Sequence, residues 1–260
     1  MPGPEINCNQ SPSEQWKDGI RQANESVKAT AQKCAKNKSE CNVNPWNKWD
    51  EEIKITVNTF NSYLANTPNY KNLDWQLIKA MLWTESGAKH KAWDSRPMQF
   101  GNIGDQGKAD LLSEDPIKKQ EYELIVPKKY RTKLDTGAYN ISQGIAYLLK
   151  RLANFGFKSK LDNDKTIYSI KVKPGDSLDK IAKANKTTVE ILKNMNPGLV
   201  PQNLKIGMEL KYQKGARKRV ITGWKEISTM SIAKYYNGNG DKFYCAKLNF
   251  VLDHLKENKK

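Results

Sequence analysis

The sequence predicts a mainly α-helical protein whose helical domain is interrupted by a small unit of order strand, helix, helix, strand. Three observations predict it. Apolar residues recur at helical spacing in several segments before residue 157 and again after residue 228. Between them the pattern shortens to two strand-like alternations flanking two brief helical patches. The 260 residues are 38% hydrophobic and 28% charged, a composition that supplies a core rather than a disordered chain.

Taken in order, residues 11–36 read as a polar helix, and Ser11-Pro12-Ser13-Glu14 has the spacing of a capping box. Residues 37–45 form a loop. A second helix is predicted over 46–64, with Ile53, Val57, Phe60 and Leu64 on one face, and Thr67-Pro68-Asn69 breaks it. A third starts near Asp74, a fitting N-cap, carries Ile78, Met81, Leu82 and Glu85 on one stripe, and ends at Gly87. Residues 93–107, rich in Gly, Asp and Pro, are a loop. Residues 140–155 are an amphipathic helix with Ile141, Ile145, Leu148, Leu152 and Phe155 on one side.

Beyond Phe157, residues 158–165 read as a polar linker. Strands are predicted over 167–172 and 208–212, with helices over 178–184 and 188–195 between them. The basic stretch 214–219 leads out. A last helical region covers 228–255, interrupted at Asn237-Gly238-Asn239-Gly240. The expected organisation is an N-terminal helical extension (1–70) packing on a domain formed from 71–160 and 220–260, with the small unit (166–213) inserted.

The formal net charge is +16, from 44 Lys and Arg against 28 Asp and Glu, so the expected partner is polyanionic. Nucleic acid, anionic lipid and the bacterial wall all meet that description. The basic residues are spread along the chain, and no helix-turn-helix, zinc-finger or RNP-like text occurs, so a nucleic-acid partner is not expected. No apolar run reaches the length of a transmembrane segment. The opening Met1-Pro2-Gly3-Pro4-Glu5 lacks a basic region followed by an apolar one, so no cleavable leader is expected there. Of the 4 cysteines, Cys34 and Cys41 can close a short loop, which leaves Cys8 and Cys245 as a long-range pair; four reduced thiols are the alternative. With 2 histidines and no C-x-x-C pair, neither a metal nor a cofactor is expected.

Within 168–212, Lys173-Pro174-Gly175-Asp176-Ser177-Leu178, Ile181-Ala182, Asn194-Met195-Asn196-Pro197 and Leu204-Lys205-Ile206-Gly207-Met208-Glu209-Leu210 resemble a LysM domain in order and spacing. The resemblance implies binding of N-acetylglucosamine-containing chains, peptidoglycan glycan strands or chitin, between the loop after strand one and the loop before strand two. Here those loops hold Gly175, Asp176, Ser177 and Leu178, and Asn196, Pro197, Gly198 and Leu199. The alternative is that these residues build turns, with Gly175 and Pro197 the most structural of them.

Ala80-Met81-Leu82-Trp83-Thr84-Glu85-Ser86-Gly87 resembles the Glu-Ser segment of soluble-lytic-transglycosylase-like enzymes, which have a lysozyme-like fold. Arg96-Pro97-Met98-Gln99-Phe100-Gly101-Asn102 resembles their Met-Gln segment, Tyr139-Asn140-Ile141 their Asn-Ile helix, and Tyr235-Tyr236-Asn237-Gly238 their Tyr-Asn motif. The usual Gly-Leu-Met-Gln reads Arg96-Pro97-Met98-Gln99 here, and the usual Ala-Tyr-Asn reads Tyr235-Tyr236-Asn237. The resemblance implies peptidoglycan cleavage at the MurNAc-GlcNAc bond with Glu85 as the catalytic carboxylate and Tyr236 beside it. Ser86, Met98, Gln99, Asn140, Tyr235 and Asn237 would line or hold the substrate site. Tyr235 competes with Tyr236, a helix cap competes with substrate contact for Ser86, and an N-cap role competes for Asn140.

Glycosidic cleavage needs an acid for the leaving oxygen. The apolar stripe and the helix C-terminus both favour a protonated Glu85. A hydrolase generally uses a second carboxylate, for which Asp94 and Asp105 are the options; a lytic transglycosylase uses one and leaves 1,6-anhydro ends. A non-catalytic wall-binding protein is the other reading. Wall-directed activity without a leader implies delivery by a dedicated machine. The first expectation is an antibacterial effector of a type VI-like secretion system, acting in the periplasm of a target bacterium, with a cognate immunity protein and a secretion-apparatus carrier. A phage lysin and a secreted housekeeping enzyme follow.

Overall fold

The computed structural model describes residues 6–38, 44–101, 106–132, 134, 136–238 and 240–257. It divides into two compact units, one of residues 1–154 and 221–260, the other of residues 155–220. The first unit is helical: α1 (Glu14–Lys36), α2 (Asp50–Leu64), α3 (Trp75–Glu85), α4 (Gln106–Leu111), α5 (Pro116–Ile125), α6 (Gly137–Leu152), then α9 (Thr229–Tyr235) and α10 (Tyr244–Glu257) after the chain returns. The second contains β2 (Tyr168–Lys171), α7 (Leu178–Ala184), α8 (Val189–Met195) and β3 (Glu209–Tyr212). The chain passes between the units within β1 (Ala153–Leu161) and again within β4 (Gly215–Trp224), which pair as a ribbon.

In the first unit α3 and α6 form the centre. Every residue of α3 from Gln76 to Trp83 is buried, so this helix is covered on all sides rather than along one stripe. It packs against α2 and α10, while α6 packs against α2, α4, α5 and α9. Asp74 caps α3 by accepting the Gln76 amide at 2.9 Å, and Gly87, at φ +66°, lets the chain turn away at the other end. One charge is carried into this core. Lys79 donates to Asp50 Oδ2 at 2.8 Å and to Asn47 Oδ1 at 2.6 Å, pinning α3 to the start of α2. Burial pushes the Asp50 carboxyl up and the Lys79 ammonium down from their ordinary values, and their mutual attraction opposes both shifts.

Several expected boundaries move. Ser13, not Ser11, caps α1, accepting the Trp16 amide at 3.3 Å, because Pro12 places the first free helical amides after it. The second helix begins at Asp50; Pro45–Asn47 is a separate 3-10 turn that Asn44 caps. The helix predicted to reach Phe155 stops at Leu152, and the expected linkers on either side of the small unit are largely strand. Alternation explains the change. Phe155 and Phe157 lie at period two, and Arg217 and Arg219 stack on them with guanidinium-to-ring distances of 4.9 to 5.6 Å.

The second unit follows its sequence pattern closely. β2 and β3 run antiparallel, with Tyr168 opposite Tyr212 and Ile170 opposite Leu210. Ser177 caps α7 and Thr188 caps α8. The core is Val172, Leu178, Ile181, Ala182, Leu192, Leu199, Leu210 and Tyr212.

Cys8 and Cys245 are joined by a disulfide that ties the segment before α1 to the first turn of α10. Cys34 is also disulfide-bonded, and Cys41, its expected partner, lies outside the described residues. Closing so long a loop restricts the unfolded chain. The double substitution Cys8→Ser with Cys245→Ser is expected to lower unfolding free energy by about 2–4 kcal/mol, read from the denaturant midpoint under non-reducing conditions; an unmoved midpoint would contradict it.

Candidate functional site

Glu85 is the last residue of α3 and is half-buried. Its Oε1 accepts a 2.6 Å hydrogen bond from the hydroxyl of Tyr244, at the start of α10. Tyr244 is 3% exposed. Burial first, and then the charge of Glu85, push its phenol well above the ordinary tyrosine value. It therefore stays protonated and acts as a donor.

The loop after Glu85 is held from three sides. The Ser86 hydroxyl donates to the Pro97 carbonyl at 2.8 Å, so this residue both caps α3 and anchors the loop. Asn140, one turn inside α6, accepts the Met98 amide at 2.9 Å and donates to the Phe100 carbonyl at 2.6 Å. Thr136 is the N-cap of α6, which excludes that role for Asn140. The Tyr236 hydroxyl donates to the Met98 carbonyl at 3.2 Å, and its ring lies 5.6 Å from that of Tyr147. Between these ties Gln99 sits at φ +52°, a left-handed conformation that a non-glycine side chain enters at a cost of about 1–3 kcal/mol.

Tryptophans support the same region from the N-terminal side. Trp46 packs on Trp83 and Trp93, and the indole N–H groups of Trp83 and Trp93 donate to the Trp46 and Pro45 carbonyls. A Cβ on Gly87 would meet the Trp46 ring at 2.9 Å, and one on Gly137 would run into the Trp49 ring. Residues 44–50 thus pack on the end of α3 and the start of α6.

The structure therefore brings Glu85, Ser86, Met98, Asn140 and Tyr236 around one loop, with several roles changed. Met98 is 1% exposed, packed over Gly144, so its side chain supports the loop instead of lining a surface. Tyr235 turns its ring to the ammonium groups of Lys225 and Lys234. The Asn237 side chain accepts the Asp241 amide at 2.8 Å and shapes the turn into α10. Asp94 pairs with Lys48, Asp241 with Lys247, and Asp105 lies outside the described residues. Tyr244 is the residue that sequence reasoning missed. Its signal was the stripe Tyr244, Leu248, Val251 and Leu255, which turns it toward the core.

In the second unit the expected glycan-binding side chains are largely committed to the fold. Leu178 is in the core. Ser177 caps α7, and Asp176 accepts the Lys173 amide at 2.7 Å. Asn196 exchanges hydrogen bonds of 2.7 and 2.9 Å with the backbone of Lys211, locking its loop to β3. Gly175, at φ +78°, and Pro197 are exposed. A ligand at these loops meets main-chain groups and the exposed Gly175 and Pro197 more than polar side chains.

Residues 170–212 match the LysM domain family, which indicates peptidoglycan binding and a cell-wall or extracellular context. No curated protein and no solved structure matches the chain. Among the described residues, no helix is long and apolar enough to cross a membrane.

Replacing Asn140 by Ala strands the Met98 amide and the Phe100 carbonyl together. The expected loss is about 1–3 kcal/mol of unfolding free energy. Equal stabilities for Asn140→Ala and wild type in denaturant titration would contradict the clamp.

Proposed function

We propose that the chain is a peptidoglycan lytic transglycosylase in which a lysozyme-like helical unit cleaves the strand that the LysM domain binds. The observation that carries this reading is the 2.6 Å bond from the buried Tyr244, whose phenol is held well above the ordinary tyrosine value, to Glu85 at the end of a helix buried from Gln76 to Trp83. Tyr244 orients the Glu85 carboxyl through its hydrogen bond to Oε1. Glu85 protonates the glycosidic oxygen as the bond to the anomeric carbon breaks. The muramic acid 6-hydroxyl then closes on that carbon, and its proton returns to Glu85. The carboxyl ends as it began, and the product carries a 1,6-anhydro end.

Single-carboxylate chemistry is what the resemblance of the Glu85 segment implies; Asp94 and Asp241 are each paired with a lysine. The Cys8–Cys245 disulfide favours an oxidising compartment such as the periplasm. Delivery to a competitor's wall as a type VI-type effector, countered by an immunity protein, remains the setting we propose, with a phage lysin second.

Purified sacculi incubated with wild type and with Glu85→Gln test the reading. Wild type should release fragments bearing anhydro ends by mass spectrometry, and Glu85→Gln should release them at least about 100-fold more slowly. Reducing ends in their place would make the protein a hydrolase, and equal release by both proteins would remove Glu85 from the chemistry.

A further inference from the structure

The second unit holds a depression of about 780 Å³ between the β1–β4 ribbon and the α7–α8 turn, within the size range of small-ligand sites. The glycan-loop residues 175–178 and 196–199 do not line it. Phe157, Ala182 and Val189 give it an apolar floor. Around this floor stand Lys183, Lys186 and Arg217, and also Asp162, Asp179 and Glu190.

The acids are the informative part. The unit carries 15 Lys and Arg against 6 Asp and Glu, so acidic residues are scarce in it. Three of the 6 have structural work elsewhere: Asp164 pairs with Lys214, Asp176 closes a turn, and Glu209 faces Lys171 across the β2–β3 ladder. The other three all line this depression. Among the described residues, none of Asp162, Asp179, Glu190, Lys183 and Lys186 forms an ion pair, although both signs share the site. Lys186 also sits at φ +50°, with its carbonyl accepting the Gly215 amide at 2.9 Å. A glycine or asparagine would adopt that backbone with less strain, so a lysine there points to use of its charge.

We propose that this depression binds the peptide stem of peptidoglycan, while the glycan itself takes the neighbouring loops. A stem carries carboxylates and, where it contains a diamino acid, a free amine. It thus matches a site of both signs with an apolar floor. A uniform polyanion would meet the three acids as repulsion. The inference rests on the peptidoglycan reading of the LysM domain.

Calorimetric titration of the full chain tests it, with a synthetic stem tetrapeptide bearing a free side-chain amine and, separately, a chitooligosaccharide without peptide. The double variant Lys183→Glu with Lys186→Glu should weaken the tetrapeptide at least tenfold and leave the oligosaccharide unchanged. N-acetylating the amine should weaken binding to wild type, and the variant Asp179→Asn with Glu190→Gln should not distinguish the two tetrapeptides. Unchanged tetrapeptide affinity after charge reversal would overturn the assignment, as would tighter binding of polyglutamate with the same variant sensitivity. Oligosaccharide binding without tetrapeptide binding sinks this inference alone; loss of both sinks the wall-binding reading with it.

Discussion

The hydrogen bond from Tyr244 to Glu85 joins positions 159 residues apart, and the first unit is arranged so that it can form. Glu85 ends a helix that is buried from Gln76 to Trp83, and its carboxyl takes a hydrogen bond from another element. That element is α10, which packs along α3 and is tied at its first turn to Cys8. The segment after β4 is consequently a wall of the core and not a tail. The buried Lys79–Asp50 pair fixes the opposite side of α3 against α2. Together these contacts leave the end of α3 little freedom to move.

Both units spend polar side chains on shaping loops. In the first, Ser86, Asn140 and Tyr236 are all engaged with the backbone of residues 97–100. In the second, Asp176, Ser177 and Asn196 are engaged in the same way. A buried polar group left unpaired costs more than a paired one contributes, so loops of fixed shape are built from such bonds. The overall charge of +16 adds a general attraction to an anionic wall, weakened by salt.

The elements legible in the sequence were those with strong punctuation. Asp74 and Gly87 bracket α3, and Gly175, Ser177 and Thr188 mark the elements of the LysM domain, where prediction and structure differ by only a residue or two. Charged, alternating segments misled. Phe155 falls at helical spacing from Leu152 yet belongs to β1, because its strand partner lies some 60 residues on and carries the arginines that stack on it. The helices α4 and α5 lie in a region whose apolar residues are too sparse for a clear period. The site was half legible. Glu85, its loop and Tyr236, whose hydroxyl donates to the Met98 carbonyl, were visible as text, whereas Tyr244 was not, because the packing of α10 on α3 is what brings it to Glu85.

The most direct measurement is kcat on purified glycan strands for Tyr244→Phe, alongside its melting temperature. Removing one hydrogen bond to an ionisable carboxyl, worth about 1.5–3 kcal/mol, should lower kcat by roughly ten- to hundredfold. KM and the fold should remain nearly as they are. A variant that keeps the wild-type kcat, or that loses only KM, would show that the segment returning after the LysM domain does not complete the acid site.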